Sequence, residues 1–273
     1  MDLNQLRELQ ASGATDLVST LRSVQFNPVD ICNRFCSFCP RSNPDIYTNK
    51  NWVISNETTT KVAVDLADMN FNGRIGFVGF GEPLLHKRLA EQIEIVAKYT
   101  NAQWIDVNTN GDFLTSDKIK DFANAGCTHV VVSMYDKDIT EELTDMKGST
   151  NIEIVPRHCY PEKFELQLVD RTNNIVGSKL KNINEPCYLP FYKMFIDWNG
   201  DVLVCSEDWA RKSNLGNVHK STVKKIWLGE EAMEYRKNLL QGLRSNKIPC
   251  STCDINGTKY GKDSVDVFCG NRL

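Results

Sequence analysis

Three cysteines, Cys32, Cys36 and Cys39, lie close together in the chain as Cys-x-x-x-Cys-x-x-Cys. If two of these thiols formed a disulfide the third would be left over, but all three can bind one soft metal centre. A set of three cysteines leaves one iron of a 4Fe-4S cluster without a protein ligand, and that open iron can bind a substrate or cofactor. The spacing therefore predicts a metal centre, with a zinc knuckle completed by a distant fourth ligand as the alternative.

Length and composition predict a globular protein with one large α/β domain and a small appendage. The chain has 273 residues, of which 41% are hydrophobic and 25% charged, and its net charge of −3 gives no sign of nucleic-acid binding. No run approaches the roughly 18 apolar residues of a membrane span, and the polar N-terminus shows no signal peptide. We therefore expect a cytoplasmic protein with neither nucleic acid nor membrane as partner. Its ten cysteines are expected to stay reduced and to serve metal rather than disulfides.

Strands and helices alternate from the first cysteine motif to about residue 169. Strands are predicted over 24–31, 75–80, 104–108, 129–134, 152–156 and 164–169. Helices are predicted over 58–69, 86–99, 116–125 and 139–146, preceded by one or two amphipathic helices over 2–22. Five or six β/α units with short loops predict a parallel sheet covered by helices, in the form of a partial (β/α)6 barrel rather than a closed eight-stranded one.

The sequence changes character after about residue 175. A polar stretch over 173–186 predicts a linker, and short strands over 192–198 and 201–205 are joined by Asn199-Gly200, which predicts a β-hairpin. Helices over 222–228 and 230–243 follow. The expected parts are an N-terminal helical extension over 1–22, a partial barrel over 23–175 and a small C-terminal domain over 176–273.

A second group of cysteines lies in the C-terminal domain: Cys187, Cys205, Cys250 and Cys253. Four thiolates complete the ligand set of a 4Fe-4S cluster, which then has no open iron and serves electron transfer or structure. Zinc bound by four cysteines is the alternative. Of the other cysteines, Cys127 is expected to be a small buried hydrophobic residue, while Cys159 and Cys269 are left without an assigned role.

A glycine-rich motif, Gly79-Phe80-Gly81-Glu82-Pro83, ends the strand predicted over 75–80. Backbone at Gly81 can approach a ligand closely. The residues at or after the ends of the later strands include Asn108, Ser133, Met134 and Arg157. Parallel β/α barrels gather their chemistry at the carboxyl ends of their strands, so these residues predict one binding site beside the first cysteine motif. Four aromatic residues are candidates for either pocket walls or core: Tyr47, Tyr135, Phe191 and Trp209.

The three-cysteine motif, with the aromatic Phe38 before its last cysteine, resembles the signature of the radical S-adenosylmethionine (SAM) superfamily. Gly81, Glu82 and Pro83 resemble that superfamily's Gly-Gly-Glu-Pro motif, with Phe80 in place of one glycine. The resemblance implies that the first cluster binds SAM and that an oxygen of the motif meets the methionine ammonium. The same resemblance places Asn108 at the next strand end of the SAM pocket and implies that Ser133 and Met134 contact the SAM ribose and carboxylate. Arg157 is a candidate to pair with that carboxylate, with a solvated surface position as the alternative.

The second cysteine group resembles the twitch domain, a shortened form of the SPASM extension of radical SAM enzymes. Gly200-x-x-x-x-Cys205 matches the SPASM hairpin, and a helix containing Trp227 follows as is typical. A full SPASM domain needs four more ligands, and only Cys269 lies in the right region. The resemblance therefore implies two 4Fe-4S clusters, one that binds SAM and one auxiliary.

Apart from its first 24 or so residues, the chain is similar to the 2-deoxy-scyllo-inosamine dehydrogenase type of radical SAM enzyme, known from butirosin biosynthesis. The similarity implies that a 5′-deoxyadenosyl radical abstracts hydrogen from a sugar-like or cyclitol-like alcohol, which becomes a ketone as the auxiliary cluster takes up an electron. Glu207 corresponds to a substrate-contacting glutamate of that type, and Arg171 is the nearest candidate for its substrate-contacting arginine. An electron donor such as flavodoxin or ferredoxin is the implied partner.

Two other functions match parts of the sequence. A radical SAM epimerase or peptide maturase is the first; maturases often carry an N-terminal peptide-recognition domain for which this chain leaves no room. An epimerase also needs a hydrogen-atom donor, which Cys159 or Cys269 would have to supply. The second is a non-enzymatic zinc-binding module, which leaves the Gly81-Glu82-Pro83 motif and Ser133 unexplained.

Overall fold

One mixed sheet of eight strands organises the described part of the chain. The computed structural model describes residues 16–135, 139–147, 150–159 and 184–270. The strands are β1 Ser23–Phe26, β2 Arg74–Phe77, β3 Trp104–Thr109, β4 His129–Met134, β5 Glu153–His158, β6 Lys193–Ile196, β7 Asp201–Leu203 and β8 Gly216–Asn217. Their order across the sheet is β5-β4-β3-β2-β1-β6-β7-β8.

Strands β1 to β6 are parallel to one another, whereas β6–β7 and β7–β8 are antiparallel. The prediction of a parallel α/β sheet followed by a hairpin is confirmed. The sheet is also continuous: β6, the first strand of the hairpin, pairs with β1 on the side opposite β2. The strand predicted over 164–169 and the expected boundary at 175–176 lie outside the described residues.

Four helices connect the barrel strands in turn: α1 Asn56–Asp68, α2 Leu89–Tyr99, α3 Ser116–Asn124 and α4 Thr140–Lys147. The C-terminal region contains α5 Leu189–Tyr192, α6 Val223–Trp227, α7 Glu230–Leu240 and α8 Lys262–Phe268. Of these, α5 and α8 were not predicted. No helix among the described residues has the length and apolar character needed to cross a membrane.

Alternation along the parallel strands separates a hydrophobic core from a polar face. In β1, Val24 and Phe26 are fully buried in the core, where the Phe26 and Phe77 rings stack with centroids 5.5 Å apart. Successive side chains of a strand point to opposite faces, so Ser23 and Gln25 lie on the other side of the sheet. That second face forms the wall of the candidate site.

The N-terminal helix predicted over 2–22 is wrong where it can be compared, since residues 16–22 form a turn; residues 1–15 lie outside the described part. The carboxylate of Asp16 accepts hydrogen bonds from the backbone N–H groups of Val18 and Ser19. Leu17 and Leu21 are buried in the hydrophobic core. Their apolar spacing therefore reflects tertiary packing rather than a helical period.

Strands β1 and β2 also end earlier than predicted. β1 ends at Phe26 rather than at residue 31, close to Pro28, which has no N–H to donate to a sheet. β2 ends at Phe77, so that the Gly79–Pro83 motif forms a turn after the strand rather than its last residues. Both changes lengthen the loops at the carboxyl ends of the strands, where the candidate site lies.

Candidate active site

The three-cysteine loop connects β1 to α1. Cys32, Cys36 and Cys39 are free and partly exposed, and all three line a single cavity of about 410 Å³. Burial and the neighbouring Cys39 raise the pKa of Cys36 to about 11. A thiol must lose its proton to bind a metal, so binding here would release protons. Three free thiols facing one cavity fit the donor set of an iron-sulfur cluster that keeps one iron open.

Arg41, two residues after Cys39, anchors this loop from beneath. Its side chain is only 1% exposed. Nε donates to the carbonyl of Phe80 at 2.9 Å, and a terminal N–H donates to the carbonyl of Asp30 at 2.8 Å. The arginine therefore ties the cysteine loop to the turn after β2. Its role was not predicted, because no local sequence pattern distinguishes a buried arginine from a surface one.

The packing of the cysteine loop requires a glycine at position 81. A Cβ at this position would lie 2.2 Å from the carbonyl oxygen of Val29 and 2.5 Å from that of Ile31. Gly81 lines the cavity, while Pro83 starts a short 3-10 helix and does not. The glycine was expected to let backbone approach a ligand; in the structure it also lets two loops of the chain pack together.

Glu82 braces the ends of two strands. Its carboxylate is 3% exposed and accepts hydrogen bonds from Thr109 Oγ1 at 2.6 Å, the Asn110 N–H at 2.9 Å and the Leu84 N–H at 3.0 Å. Burial raises the pKa of Glu82, and these hydrogen bonds oppose that shift. A carboxylate can accept about four hydrogen bonds, so one site is left for a ligand ammonium.

Alternation along β4 separates the two SAM-pocket residues predicted there. Ser133 lines the cavity and accepts a hydrogen bond from a terminal N–H of Arg157, which also lines it. Met134 is 2% exposed and its side chain lies in the hydrophobic core. The expectation that Met134 faces the ligand is therefore wrong for its side chain, because adjacent residues of a strand point to opposite faces.

The other predicted cofactor residues lie on the same wall. Asn108 lines the cavity and donates to a carboxylate oxygen of Asp106. Phe38 lines it too, and its ring packs against that of Tyr135 with centroids 5.1 Å apart. Every predicted SAM-pocket residue except Pro83 and Met134 therefore faces the one cavity.

The candidate pocket aromatics divide between the cavity and the core. Tyr135 and Trp209 line the cavity, and Trp209 packs against Phe80 with ring centroids 4.8 Å apart. Tyr47 lies behind Trp209, at a centroid distance of 5.0 Å, and Phe191 is buried in the core. The substitution of Phe80 for a glycine thus adds to an aromatic wall.

The second cysteine group lines a separate apolar pocket of about 20 Å³. Its four thiols are free: Cys187, Cys205, Cys250 and Cys253. Burial raises the pKa of all four thiols, to about 12 for Cys250 and Cys253. A Cβ at Gly257 would lie 2.2 Å from the sulfur of Cys187, so glycine is needed to leave room for that ligand. Four thiols in an apolar pocket fit a cluster held by protein alone.

Arg244 holds the segments that carry two of these ligands. It is 2% exposed and donates to the carbonyl oxygens of Glu185, Pro186 and Cys253 at 2.8, 3.2 and 3.3 Å. Its guanidinium therefore joins the start of the C-terminal region to the Cys-x-x-Cys pair. Sequence reasoning missed this residue, as it missed Arg41, because both act through distant backbone carbonyls.

Neither cysteine group has the convergence that one metal ion requires. Among the described residues, no three His, Cys, Asp or Glu side chains are close enough to hold a single metal ion. In a 4Fe-4S cluster each cysteine binds a different iron, so its sulfurs stand further apart than those around zinc.

Glu207 is the residue that connects the two sites. It lies two residues after Cys205, is 8% exposed, and lines both the large cavity and the four-cysteine pocket. The predicted substrate residue is therefore placed between the two candidate cluster sites. Arg171, the other one, lies outside the described residues.

The three remaining cysteines line neither site. Cys127 is 6% exposed in the hydrophobic core, as expected. Cys269 follows the last residue of α8 and packs against the same core, and the Cys159 N–H donates to the carbonyl of Met134. Within the described residues, no thiol outside the two ligand groups therefore faces the cavity.

Two models of known protein families match separate parts of the chain, and each part contains one of the two cysteine groups. Residues 26–136 match the model of the radical SAM superfamily, and residues 187–254 match the model of the SPASM iron-sulfur cluster-binding domain. The chain carries a radical SAM domain and a SPASM domain. The first match contains the three-cysteine loop, and the second contains all four cysteines of the apolar pocket.

Two relatives share sequence with this radical SAM protein. It is 28% identical over 232 residues to the S-adenosyl-L-methionine-dependent 2-deoxy-scyllo-inosamine dehydrogenase of Niallia circulans, covering 82% of this chain and 88% of that protein. It is 27% identical over 124 residues to the GTP 3′,8-cyclase of Nostoc punctiforme, covering 44% of this chain and 37% of that protein.

Solved structures show the same fold. The crystal structure of BtrN in complex with AdoMet and 2-DOIA matches with a TM-score of 0.77 at 24% identity, covering 88% of this chain and 96% of that one. Native anSMEcpe with bound AdoMet matches with a TM-score of 0.59 at 15% identity, covering 91% and 96%. This radical SAM protein therefore shares its architecture with both over most of its length.

Proposed function

We propose that this radical SAM protein oxidises a secondary alcohol of a sugar-like or cyclitol-like small molecule to a ketone. The observation that carries the proposal is the position of Glu207, which borders both the large cavity and the four-cysteine pocket. A substrate hydroxyl bound to this carboxylate would lie between the two candidate cluster sites. Oxidation of the alcohol removes a hydrogen atom toward the SAM site and an electron toward the auxiliary cluster, so the substrate must lie between the two.

The proposed cofactors are SAM and two 4Fe-4S clusters, one held by the three-cysteine loop and one, auxiliary, by the four-cysteine pocket. When bound, they supply a 5′-deoxyadenosyl radical and an electron acceptor, so that the carbinol carbon loses a hydrogen atom, its hydroxyl a proton, and the auxiliary centre takes up the remaining electron. An external donor such as flavodoxin or ferredoxin supplies the electron that cleaves SAM.

The chain's own residues orient the reactants. Ser133, Arg157 and Asn108 face the cavity with polar groups suited to a ribose and a carboxylate. Glu82 retains a site for an ammonium, and the Phe38 and Tyr135 rings close the wall beside the cysteine loop. Glu207 is the proposed acceptor for the hydrogen bond of the reacting hydroxyl.

Two further observations support dehydrogenation over the alternatives, and a third concerns the compartment. The relative from Niallia circulans is named a SAM-dependent dehydrogenase and is similar over most of both chains. An epimerase requires a hydrogen-atom donor, and no thiol outside the two ligand groups lines the cavity in the described residues. All ten cysteines are free, which supports a reducing compartment such as the cytoplasm.

Anaerobic reconstitution with iron and sulfide analysis tests this function, with 5′-deoxyadenosine measured alongside. We expect about eight irons per chain and formation of 5′-deoxyadenosine that depends on reductant. Polyols and amino sugars should then be screened by mass spectrometry for loss of two hydrogens. About four irons with one zinc would retain SAM chemistry but make the C-terminal site structural and favour epimerisation. Zinc without iron or sulfide would exclude the enzyme.

A further inference from the structure

One cationic side chain in the large cavity lacks a partner among the described residues. Lys193, the first residue of β6, lines the cavity and makes no hydrogen bond or ion pair there. The other cations of the cavity wall are bonded: Arg34 to Asp112, Arg41 to Asp30, Arg74 to Asp106 and Arg157 to Ser133. Lys193 therefore differs from the arginines of the cavity wall, because its ammonium makes no hydrogen bond or ion pair with a described residue.

Strand register places Lys193 at the base of the cavity. Ser23 of β1 pairs with Lys193 on one side and with Arg74 of β2 on the other, at the strand ends furthest from the cysteine loop. Asp106 accepts hydrogen bonds from Arg74 Nε at 2.5 Å and from a terminal N–H at 2.7 Å. The charge of Arg74 is thereby neutralised, whereas the ammonium of Lys193 has no hydrogen-bonded partner in the described part of the chain and interacts only electrostatically with Cys205, Glu207 and Cys187.

Unpartnered neutral groups lie on the same wall. Gln25 and Trp209 are each 7% exposed and line the cavity, and neither Gln25 Oε1 nor Trp209 Nε1 has a hydrogen-bond partner in the described structure. Buried polar atoms are rarely left without partners, so such atoms facing a cavity indicate a ligand that completes them. They offer one acceptor and one donor, which suits a molecule with several hydroxyl groups.

We propose that Lys193 binds an anionic group of the substrate, a carboxylate or a phosphate, while Gln25 and Trp209 bind its hydroxyl groups. The substrate is then an acidic polyol, a sugar acid or sugar phosphate, rather than a neutral or cationic cyclitol. Glu207 receives the reacting hydroxyl, and in this respect the inference rests on the proposed function. Burial lowers the pKa of Lys193, and an anion bound beside it would stabilise the charged form.

Binding to the reconstituted, SAM-loaded protein tests the proposal by anaerobic calorimetry. The probes are myo-inositol, glucosamine, glucuronate and glucose 6-phosphate, of which the last two distinguish a carboxylate site from a phosphate site. At least one anionic probe should bind about 10- to 100-fold more tightly than myo-inositol. Lys193→Met should abolish that preference, and Lys193→Arg should keep most of it. Lys220→Met, at an exposed lysine of the same region, should leave it unchanged.

Two results would overturn the proposal. One is that neither anionic probe binds better than myo-inositol to the unaltered protein, which decides the matter even if Lys193→Met does not fold. The other is a Lys193→Met variant that keeps the preference but shifts the reduction potential of the auxiliary cluster, since the lysine would then serve that cluster. Binding of an anionic probe with the expected preference, but with no ketone from any of the polyols and amino sugars screened, would instead refute dehydrogenation and leave the role of Lys193 intact.

Discussion

The two cysteine groups provide different surroundings for the same ligand atom. Cys32, Cys36 and Cys39 are partly exposed on the wall of a large cavity that also contains five cationic side chains. The other four cysteines line a small pocket that is otherwise mostly apolar, with Cys187 and Cys250 each 9% exposed. One group could therefore share its metal centre with a ligand, whereas the four thiols of the other would leave no iron of a cluster open.

This difference favours ligand binding at the three-cysteine group and electron transfer at the four-cysteine group. An open cavity beside three thiols admits a molecule that must reach the metal, and the polar wall around it can orient that molecule. A small apolar pocket with four thiols would leave no iron for a further ligand but leaves electron transfer possible across Glu207, which belongs to both walls. Variants that damage one group while sparing the other can separate these roles.

Loss of a ligand in the open group should have the largest effect. Cys36→Ala leaves two thiols for the first cluster, and we expect it to abolish cleavage of SAM, measured as 5′-deoxyadenosine after reduction. The matched control is Cys269→Ala, which alters a cysteine that lines neither site and should retain iron content and cleavage. Cleavage of SAM by a folded Cys36→Ala protein would contradict the assignment of this loop.

Loss of a ligand in the closed group should have a more selective effect. Cys253→Ala should spare part of the SAM cleavage but impair ketone formation, because the electron of the substrate radical then has no acceptor. The ratio of ketone to 5′-deoxyadenosine measures this directly. Equal loss of both products in a folded Cys253→Ala protein would argue against an electron-acceptor role.

The boundary between the groups is tested by Glu207→Gln, which removes a charge while keeping the shape of the side chain. We expect ketone formation to fall about 100-fold, at the lower end of what a positioned acid or base contributes. Iron content and SAM cleavage without substrate should not change. Glu94→Gln, at an exposed position on α2, is the matched control. An unchanged rate in Glu207→Gln would remove this residue from the reaction.

Sequence separation explains which of these features could be predicted. Both cysteine groups and the Gly81-Glu82-Pro83 turn are short patterns, and the strands 104–108 and 129–134 were predicted to within one residue because alternation and turns are local. The pairing of β6 beside β1 was not predicted, since a hairpin signal reports only the antiparallel neighbour. Lys193, Gln25 and Arg41 depend on that long-range register and on loop packing, so no local pattern identified them.

The smallest expected effect on the reaction concerns a buried polar network that joins the two regions. Arg211 donates to Asp197 at 2.5 Å and to the Tyr47 hydroxyl at 2.5 Å, and forms an ion pair with Asp30 at 3.2 Å. Asp30 precedes the three-cysteine loop and Asp197 follows β6, and both are at most 1% exposed. Arg211→Met removes the shared cation, and we expect the free energy of unfolding in urea to fall by about 3 kcal/mol. Iron content should be retained at low denaturant.

The pH dependence of this loss separates a charge effect from a packing effect. Burial raises the pKa of Asp30, and the charges of Arg211 and Arg41 oppose that shift. Without Arg211 the pKa of Asp30 in the folded state rises further above its unfolded value, so the variant loses more stability as the pH increases and less as the carboxyl is protonated. The deficit should therefore shrink on acidification. The exposed control Arg88→Met should cost less than about 1 kcal/mol, and a deficit in Arg211→Met that does not vary with pH would indicate lost packing instead.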